Sequence, residues 1–483
     1  MRLFELLTLA GYTYPSAFLN VEVLGISSDS RTLRQGEIFV AVRGLHSDGN
    51  DFCDVAKHKG AVLIVSEQEV EGGLRVPNAR AALARLWSAW YRHPGKEMTL
   101  IGVTGTNGKT STSTMLFDLL CRCQYRCGLI GTVECRLGES ALKLVGQDPL
   151  ANMTTPEPQE LYAMLAAMRD GGATHVVMEV SSHALVLERT APLRFKRAIF
   201  TNLTPEHLDF HGDMAAYYQA KRRLFAQADG AVVSCLGAYG KRLADELEMP
   251  LWRLDESILQ DVALCGREGV RFTLCGEKVF LPVPGSFSVE NGALALLTAV
   301  TLGVDPATAR CALADFSGVR GRMERIGDGR SAPTILIDYA HTPDALEKLL
   351  RTVRGCSDPG DRITVLFGCG GDRDPSKRRE MGRIASALAD HVILTSDNCR
   401  SERAEDILRD ILRGVDKEKS YKVIPDRAEA IRYAVQTARV GEVLILAGKG
   451  HEDYEIRGDQ RLYFSEKEIA LAALKEREAF DAH

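Results

Sequence analysis

No stretch of this 483-residue sequence comes near the roughly 18 consecutive apolar residues that a membrane-spanning helix needs, so no membrane span is expected. No C-x-x-C pair occurs among the 12 cysteines, which argues against a zinc ribbon or a thioredoxin-like site. Scattered, unpatterned thiols fit a reducing compartment, and the expectation is a cytoplasmic protein. Neither sign of charge dominates: 60 Lys and Arg against 65 Asp and Glu leave a net charge of -5, which gives no electrostatic reason to expect nucleic acid or an anionic membrane surface as partner. Low-complexity tracts and internal repeats are absent, and a composition 45% hydrophobic and 26% charged excludes a disordered, collagenous or coiled-coil chain. The N-terminus MRLFELLTLAGYTYPS has no basic stretch before its apolar run and carries Glu5 within it. It reads as a first helix and not as a signal peptide.

What is present is an alternation of buried strands with helices. The length predicts about three domains. In the first, residues 1–94, EIFVAVRG (37–44) and AVLIVSE (61–67) read as strands and 52–59 and 78–91 as helices; His93-Pro94-Gly95-Lys96 reads as a linker. In the second, residues 95–329, strands are expected at 99–105, 175–180, 197–203 and 230–235, then short strands over 260–284 and two helices over 289–314. In the third, residues 330–483, strands at 334–340, 362–369, 391–397, 422–425 and 442–448 alternate with helices. The expected fold class is α/β in three domains: an N-terminal α/β domain, a central P-loop-type domain on a parallel sheet, and a C-terminal Rossmann-like doubly wound domain.

Gly105-Thr106-Asn107-Gly108-Lys109-Thr110-Ser111 lies between a buried strand and a helix start. Glycines there let backbone N–H groups close around phosphate oxygens at the positive end of a helix. Lys109 suits the β- and γ-phosphates and the Thr110 hydroxyl suits Mg²⁺. The match to G-x-x-x-x-G-K-[ST] is imperfect, since Val103 stands where the first Gly belongs. No guanine-reading N-K-x-D is present, which disfavours a GTPase and leaves an ATP-driven enzyme. Glu179 ends an apolar strand before Ser181-Ser182-His183. Glu206, His207, Asp209 and His211 follow another strand, and the two histidines, four apart, would share one face of a helix. H-E-x-x-H is absent, so a zinc-protease site is disfavoured; oxygen-seeking Mg²⁺ suits Thr110 and Glu179, with one His as an extra ligand. Lys221 beside Arg222 and Arg223 reads, on composition, as a solvated basic face.

Taken together these motifs resemble the ATP-dependent Mur ligases of peptidoglycan synthesis, and within them the MurE type, over all three segments in order. Ser28-Asp29-Ser30-Arg31 and Gly36 to Ala41 are similar to the region of that family that grips the uridine nucleotide, with Gly44 to Gly49 as a companion loop. The resemblance implies that Ser30, Leu45, His46, Ser47, Thr154, Thr155, Ser181 and Arg189 bind the UDP-linked substrate. It implies that Lys221 is carbamylated and that Thr110, Glu179, His207 and Lys221 hold Mg²⁺. Asn291, Arg322, Asp338 and His341 would join the loop 105–111 at ATP, and Lys109, Glu179, His207, Lys221, Asp338 and Arg322 form the implied catalytic set. Arg373, Asp397, Asn398, Cys399, Arg400, Gly448 and Glu452 resemble the pocket for the incoming amino acid. Asp397-Asn398-Cys399-Arg400 is similar to the D-N-P-R signature of members that take meso-diaminopimelate, with Cys399 in place of proline. A guanidinium at Arg400 suits the second carboxylate of that amino acid, whereas lysine would present an ammonium to it.

The implied reaction adds meso-diaminopimelate to the D-Glu of UDP-MurNAc-L-Ala-D-Glu through an acyl phosphate, in the cytoplasmic synthesis of cell-wall precursor that underlies cell shape and division. ATP is co-substrate, Mg²⁺ the cofactor and a monomer the expected state. The alternatives are a lysine-adding relative, a folylpolyglutamate synthase-like ligase and, from another class, a regulatory P-loop ATPase.

Overall fold

A computed structural model describes residues 1–13, 20–44, 47–142, 153–327, 332–358 and 360–481. The chain packs as two compact units, Met1–Ser257 with Ala293–Ala312, and Ile258–Gly292 with Leu313–His483.

The first unit carries two sheets. Strands Gly25–Ser27, Glu37–Val40, Leu63–Ser66 and Leu74–Arg75 pair in that order, all parallel. The second sheet has eight strands, in the order Leu251–Leu254, Ala231–Ser234, Arg197–Phe200, Thr99–Thr104, His175–Glu179, Cys127–Ile130, Cys135–Leu137 and Ser140–Ala141. The first six of these pair parallel, and the last two are added by successive antiparallel pairings. Its central strands are buried beyond their first residues, as a parallel sheet covered on both faces requires. Thr99–Thr104 is earliest in sequence yet lies mid-sheet, between Arg197–Phe200 and His175–Glu179. The chain therefore departs to both sides of it, and the loops at the carboxyl ends of these three strands open on one crevice.

Local sequence explains the helices that flank this sheet. Gly108, at φ +85°, precedes the helix Lys109–Arg122, which begins at the predicted residue. Asp213 caps Met214–Ala226 by accepting from the Ala216 N–H, and Ser181 caps Ser182–Val186 from Ala184. The predicted linker is a packed turn instead: Pro94–Lys96 forms a single 3-10 turn, Pro94 is buried, and the His93 ring meets Leu9 O and Ser88 Oγ at 3.0 Å each. Pro-Gly marks where the chain must turn, but says nothing of whether neighbouring helices close over it. Strands are also shorter than expected at their carboxyl ends, because residues such as Thr201–Leu203 leave the ladder to meet the phosphate loop.

In the second unit a three-stranded antiparallel sheet (Leu259–Leu264, Val270–Leu274, Glu277–Leu281) accompanies a six-stranded one. The order of the latter is Glu324–Ile326, Thr334–Asp338, Val443–Ala447, Ile363–Phe367, His391–Leu394, Tyr421–Val423, with only the first antiparallel. The loops after Thr334–Asp338, Ile363–Phe367, His391–Leu394 and Val443–Ala447 share one end of the sheet. The sheets over residues 25–75, 99–254 and 324–447 are those of the expected α/β fold class.

One buried ion pair ties that end together. Arg427 donates to Glu466 Oε1 at 2.8 Å, to Ser396 O at 3.0 Å and to Ala447 O at 2.8 Å, and both side chains are 1% exposed. Removing one partner leaves the other charged and dry, so Arg427→Met is expected to cost about 3–5 kcal/mol of stability in urea unfolding. A loss under about 1 kcal/mol, the worth of an exposed pair, would refute this role.

Candidate active site

The phosphate loop is folded back on its own cation. Lys109 Nζ donates to Gly105 O at 3.0 Å and Thr106 O at 2.8 Å. Gly105 cannot be replaced, since a Cβ there would fall 1.8 Å from Thr201 Oγ1. The strand end Arg197–Phe200 supplies the buttress. Thr201 Oγ1 donates to Asn107 O at 2.6 Å, and Asn202 Oδ1 accepts from the Asn107 N–H at 3.0 Å. Thr106 Oγ1 donates to Thr204 O at 3.2 Å and meets the Tyr217 hydroxyl at the same distance.

Glu179 is buried at the carboxyl end of its strand, as predicted. Its Oε2 accepts from Thr110 Oγ1 at 3.0 Å and Thr132 Oγ1 at 3.1 Å, and its Oε1 from the Thr132 N–H at 2.9 Å. A hydroxyl and a carboxylate side by side at a phosphate loop are hard oxygen donors. They fit Mg²⁺, which takes one or two protein ligands and completes its shell with phosphate and water. Among the described residues no group of three or more His, Cys, Asp and Glu is placed to cage a metal by itself.

Lys221 is not on a solvated face. It is 2% exposed, donates to Gly105 O at 2.7 Å, and lies 4.6 Å over the Tyr217 ring. Burial, then the Lys109 ammonium, drive its pKa well below the ordinary value, against a weaker pull from Glu206. The neighbouring arginines play no part: Arg222 pairs with Glu246 and Arg223 with Glu188.

His207 and His211 do not form one helical face. His207 stands at φ +56° before the short helix Leu208–His211, half-exposed. Both rings instead approach His183, at 4.9 and 5.4 Å, a residue that the sequence motif contains without assigning it a role. His183 is pushed down to about 4, by burial first and then by these two imidazoles. His211 also meets Ser182 Oγ at 2.9 Å and stacks on Tyr217. Lys109, Thr154, Ser181, His183, Arg189, His207 and Lys221 all line one cavity of about 300 Å³. Around it Thr155 Oγ1 donates to Glu179 O at 2.9 Å, and Arg189 donates to Thr155 O at 2.8 Å and pairs with Glu157. Ser111 sits in the first turn of its helix. Ser30, whose carbonyl accepts from Lys59, and the exposed Ser47 belong to the N-terminal sheet region and do not line this cavity. Leu45 and His46 lie outside the described residues.

In the second unit Asp338 accepts from the N–H groups of Met323 and Ala340 at 2.8 and 2.9 Å. Burial raises its pKa, against Arg322 and these two donors. The Arg322 guanidinium lies 4.9 Å from the Tyr339 ring, and the His341 ring meets Tyr339 O at 2.8 Å. Asn291 is buried on the helix Ser286–Thr301.

The amino-acid-site candidates gather at the loops after His391–Leu394 and Val443–Ala447. Asn398 Nδ2 donates to Glu452 Oε2 at 2.9 Å, and Gly448, at φ +115°, donates to Asp338 O at 3.0 Å. Cys399 is buried, its thiol against Asp397 O. Arg400 Nη1 donates to Gly371 O at 2.8 Å and Asn398 O at 3.3 Å. Arg373 is exposed and flanks Gly370 opposite Arg400: a Cβ at Gly370 would lie 3.0 Å from Arg400 Nη1 and 3.8 Å from Arg373 Cγ. Arg400 and Glu452 line separate cavities, of about 430 and 350 Å³.

Sequence reasoning missed Thr132, Tyr217, Arg427 and Glu466. Only Tyr217 carried a signal, since it stands four residues before Lys221 on one helix face.

Three family profiles match the chain: Mur ligase family catalytic domain over residues 22–91, Mur ligase middle domain over 103–299, and Mur ligase glutamate ligase domain over 321–450. The UDP-N-acetylmuramoyl-L-alanyl-D-glutamate–2,6-diaminopimelate ligase of Gloeobacter violaceus is 41% identical over 99% of both chains. The enzyme of that name from Chlorobaculum tepidum is 42% identical over 93% of this chain and 92% of its own. A solved structure titled as a ligase of the same name is 29% identical, with a TM-score of 0.70 over 99% of this chain and 100% of that one. Fold and comparisons together define an ATP-dependent, amide-bond-forming ligase. The chain belongs to the Mur ligase family.

Proposed function

We propose that this protein joins meso-2,6-diaminopimelate to the D-Glu carboxylate of UDP-MurNAc-L-Ala-D-Glu at the expense of ATP. The observation that carries this reading is 41% identity, over 99% of both chains, to a ligase of that name. A carboxylate is not displaced by an amine at neutral pH. The substrate carboxylate oxygen therefore attacks the γ-phosphorus, the bond to ADP breaks, and an acyl phosphate forms. The amine of the incoming amino acid attacks the acyl carbon, loses a proton, and phosphate leaves.

In this reading the residues act as follows. The N–H groups of 105–111 cradle the phosphates, and Lys109 exchanges its carbonyl partners for phosphate oxygens and offsets their charge. Thr110 and Glu179, with His207 and carbamylated Lys221, would hold Mg²⁺, which supplies further charge neutralisation at the phosphates when bound. Burial and the Lys109 ammonium disfavour the charged form of Lys221, which favours the neutral amine that capture of CO₂ requires. Thr154, Thr155, Ser181 and Arg189 would orient the UDP-linked substrate, joined by Ser30 and Ser47. Asn291, Arg322, Asp338 and His341 would complete the ATP side. Arg373, Asp397, Asn398, Cys399, Arg400, Gly448 and Glu452 would receive the amino acid. Both ATP and a uridine-linked precursor are cytoplasmic metabolites, which supports action in the cytoplasm. No helix among the described residues is long and apolar enough to cross a membrane.

The test is phosphate release with UDP-MurNAc-L-Ala-D-Glu, ATP and Mg²⁺, comparing meso-diaminopimelate, L-lysine and no amino acid. Release confined to meso-diaminopimelate is expected. Equal turnover with lysine would overturn the acceptor assignment, and release without any amino acid would make the protein an ATPase.

A further inference from the structure

Lys449 follows the strand Val443–Ala447 and is completely buried. Its ammonium stands 3.1 Å from Asn398 Oδ1, 3.5 Å from Glu452 Oε2 and 3.6 Å from Asp397 Oδ1. The Tyr454 and Phe464 rings lie 5.7 and 5.8 Å from it. Three protons thus face three oxygens, all of them on the two loops proposed to receive the amino acid. Those loops follow strands that are not neighbours in the sheet: Ile363–Phe367 runs between them. Sheet pairing alone therefore does not fix one loop against the other.

The amide of Asn398 is oriented by the same contacts. Its Oδ1 accepts from Lys449 and from the Ile456 N–H at 3.0 Å, both obligate donors, which turns Nδ2 onto Glu452 Oε2 at 2.9 Å. Asp397 adds a second carboxylate to this dry site. Burial pushes its pKa up, but Lys449 and Arg427 outweigh that and hold it below the ordinary carboxylate range. Without the ammonium, two buried carboxylates would lose the cation they share, and the Asn398 amide would lose one of the two donors that fix it.

We infer that Lys449 is a positioning residue for the incoming amino acid: its buried ammonium locks Asn398 and Glu452 into the single arrangement that the acceptor meets. Lys449 acts through these two side chains and does not itself touch the acceptor. The inference rests on the functional reading above and adds to it the group that sets acceptor affinity through these two side chains.

The test is Lys449→Met in the full-length protein, with phosphate release measured while each co-substrate is titrated in turn. The KM for meso-diaminopimelate is expected to rise by about 10-fold or more, the worth of one charge-assisted hydrogen bond, while the KM for ATP stays within about twofold. Lys449→Met strands a carboxylate, so Lys449→Met/Asp397→Asn is measured beside Asp397→Asn alone. The pair of changes removes one charge of each sign and keeps the fold, and the double variant is expected to melt close to the single one. Its acceptor KM is still expected to exceed that of the single variant about 10-fold. An acceptor KM equal in the two, or an ATP KM rising in step, would overturn the positioning role. Wild-type protein that neither turns over meso-diaminopimelate nor binds it by calorimetry overturns the functional reading and this inference with it. Active wild type with an unchanged Lys449→Met overturns the inference alone.

Discussion

Lys221→Met is expected to abolish ligation and, at neutral pH, to raise the melting temperature. The loss of turnover should reach about 10²–10³-fold or more, the cost of removing one preorganised group from a charged transition state. The gain in stability comes from the same side chain. The folded protein holds Lys221 with a pKa far below the ordinary 10.5, because burial and then Lys109 disfavour the ammonium. Between the folded and the ordinary value the unfolded chain carries a proton that the folded chain has released. Stability therefore rises with pH through that window, and the penalty is fully present below the folded pKa. Met removes the titrating group and keeps an apolar stem buried beside the Tyr217 ring. The melting advantage of the variant should shrink as pH approaches 10.5. Calorimetric melts of both proteins from pH 6 to 10 check this; a variant less stable than wild type across the range would mean that Lys221 is a structural ion, not a strained functional one.

Arg400→Ala should lower kcat/KM for meso-diaminopimelate by about 10²-fold while leaving the KM for ATP unchanged. Arg400 is held at φ +51°, its N–H donating to Ile456 O at 3.1 Å and its carbonyl accepting from Gly458 at 2.8 Å. Its guanidinium is anchored through Nη1 on two backbone carbonyls, so the side chain is placed before any ligand arrives. A preplaced guanidinium reads a distal carboxylate with two parallel bonds; an ammonium does not. Arg400→Lys should accordingly recover little. Turnover of L-lysine, whose distal ammonium the guanidinium repels, should stay at its low wild-type level or rise, while that of meso-diaminopimelate falls. Equal losses for both amino acids would show that Arg400 supports the loop and does not select the acceptor.

Much of the fold was legible because its signals are local. Gly-x-x-Gly-Lys between a buried run and a helix start can hardly fold otherwise, and the helix does begin at Lys109. Strand ends were overdrawn for a physical reason: apolar residues continue past the ladder where they pack beneath the loops. At Lys221 the pair Arg222-Arg223 suggested a solvated face. Yet Tyr217, Lys221, Leu224 and Phe225 recur at helical spacing, and this stripe faces the core. At His207 and His211 the spacing suggested one helical face, whereas a left-handed backbone at His207 swings both rings toward His183.

By itself the sequence determined the order of strands and helices, the phosphate loop, the carboxylate of Glu179 at a strand end, and the arginine of the acceptor segment, since each depends on a few consecutive residues. Only the tertiary structure decided that Lys221 is stripped of water, that Thr132 holds Glu179, and that Lys449 and Arg427 bind together loops belonging to strands that do not touch. Burial and charge coupling arise between residues tens to hundreds of positions apart, and no periodicity along the chain encodes which of them will meet.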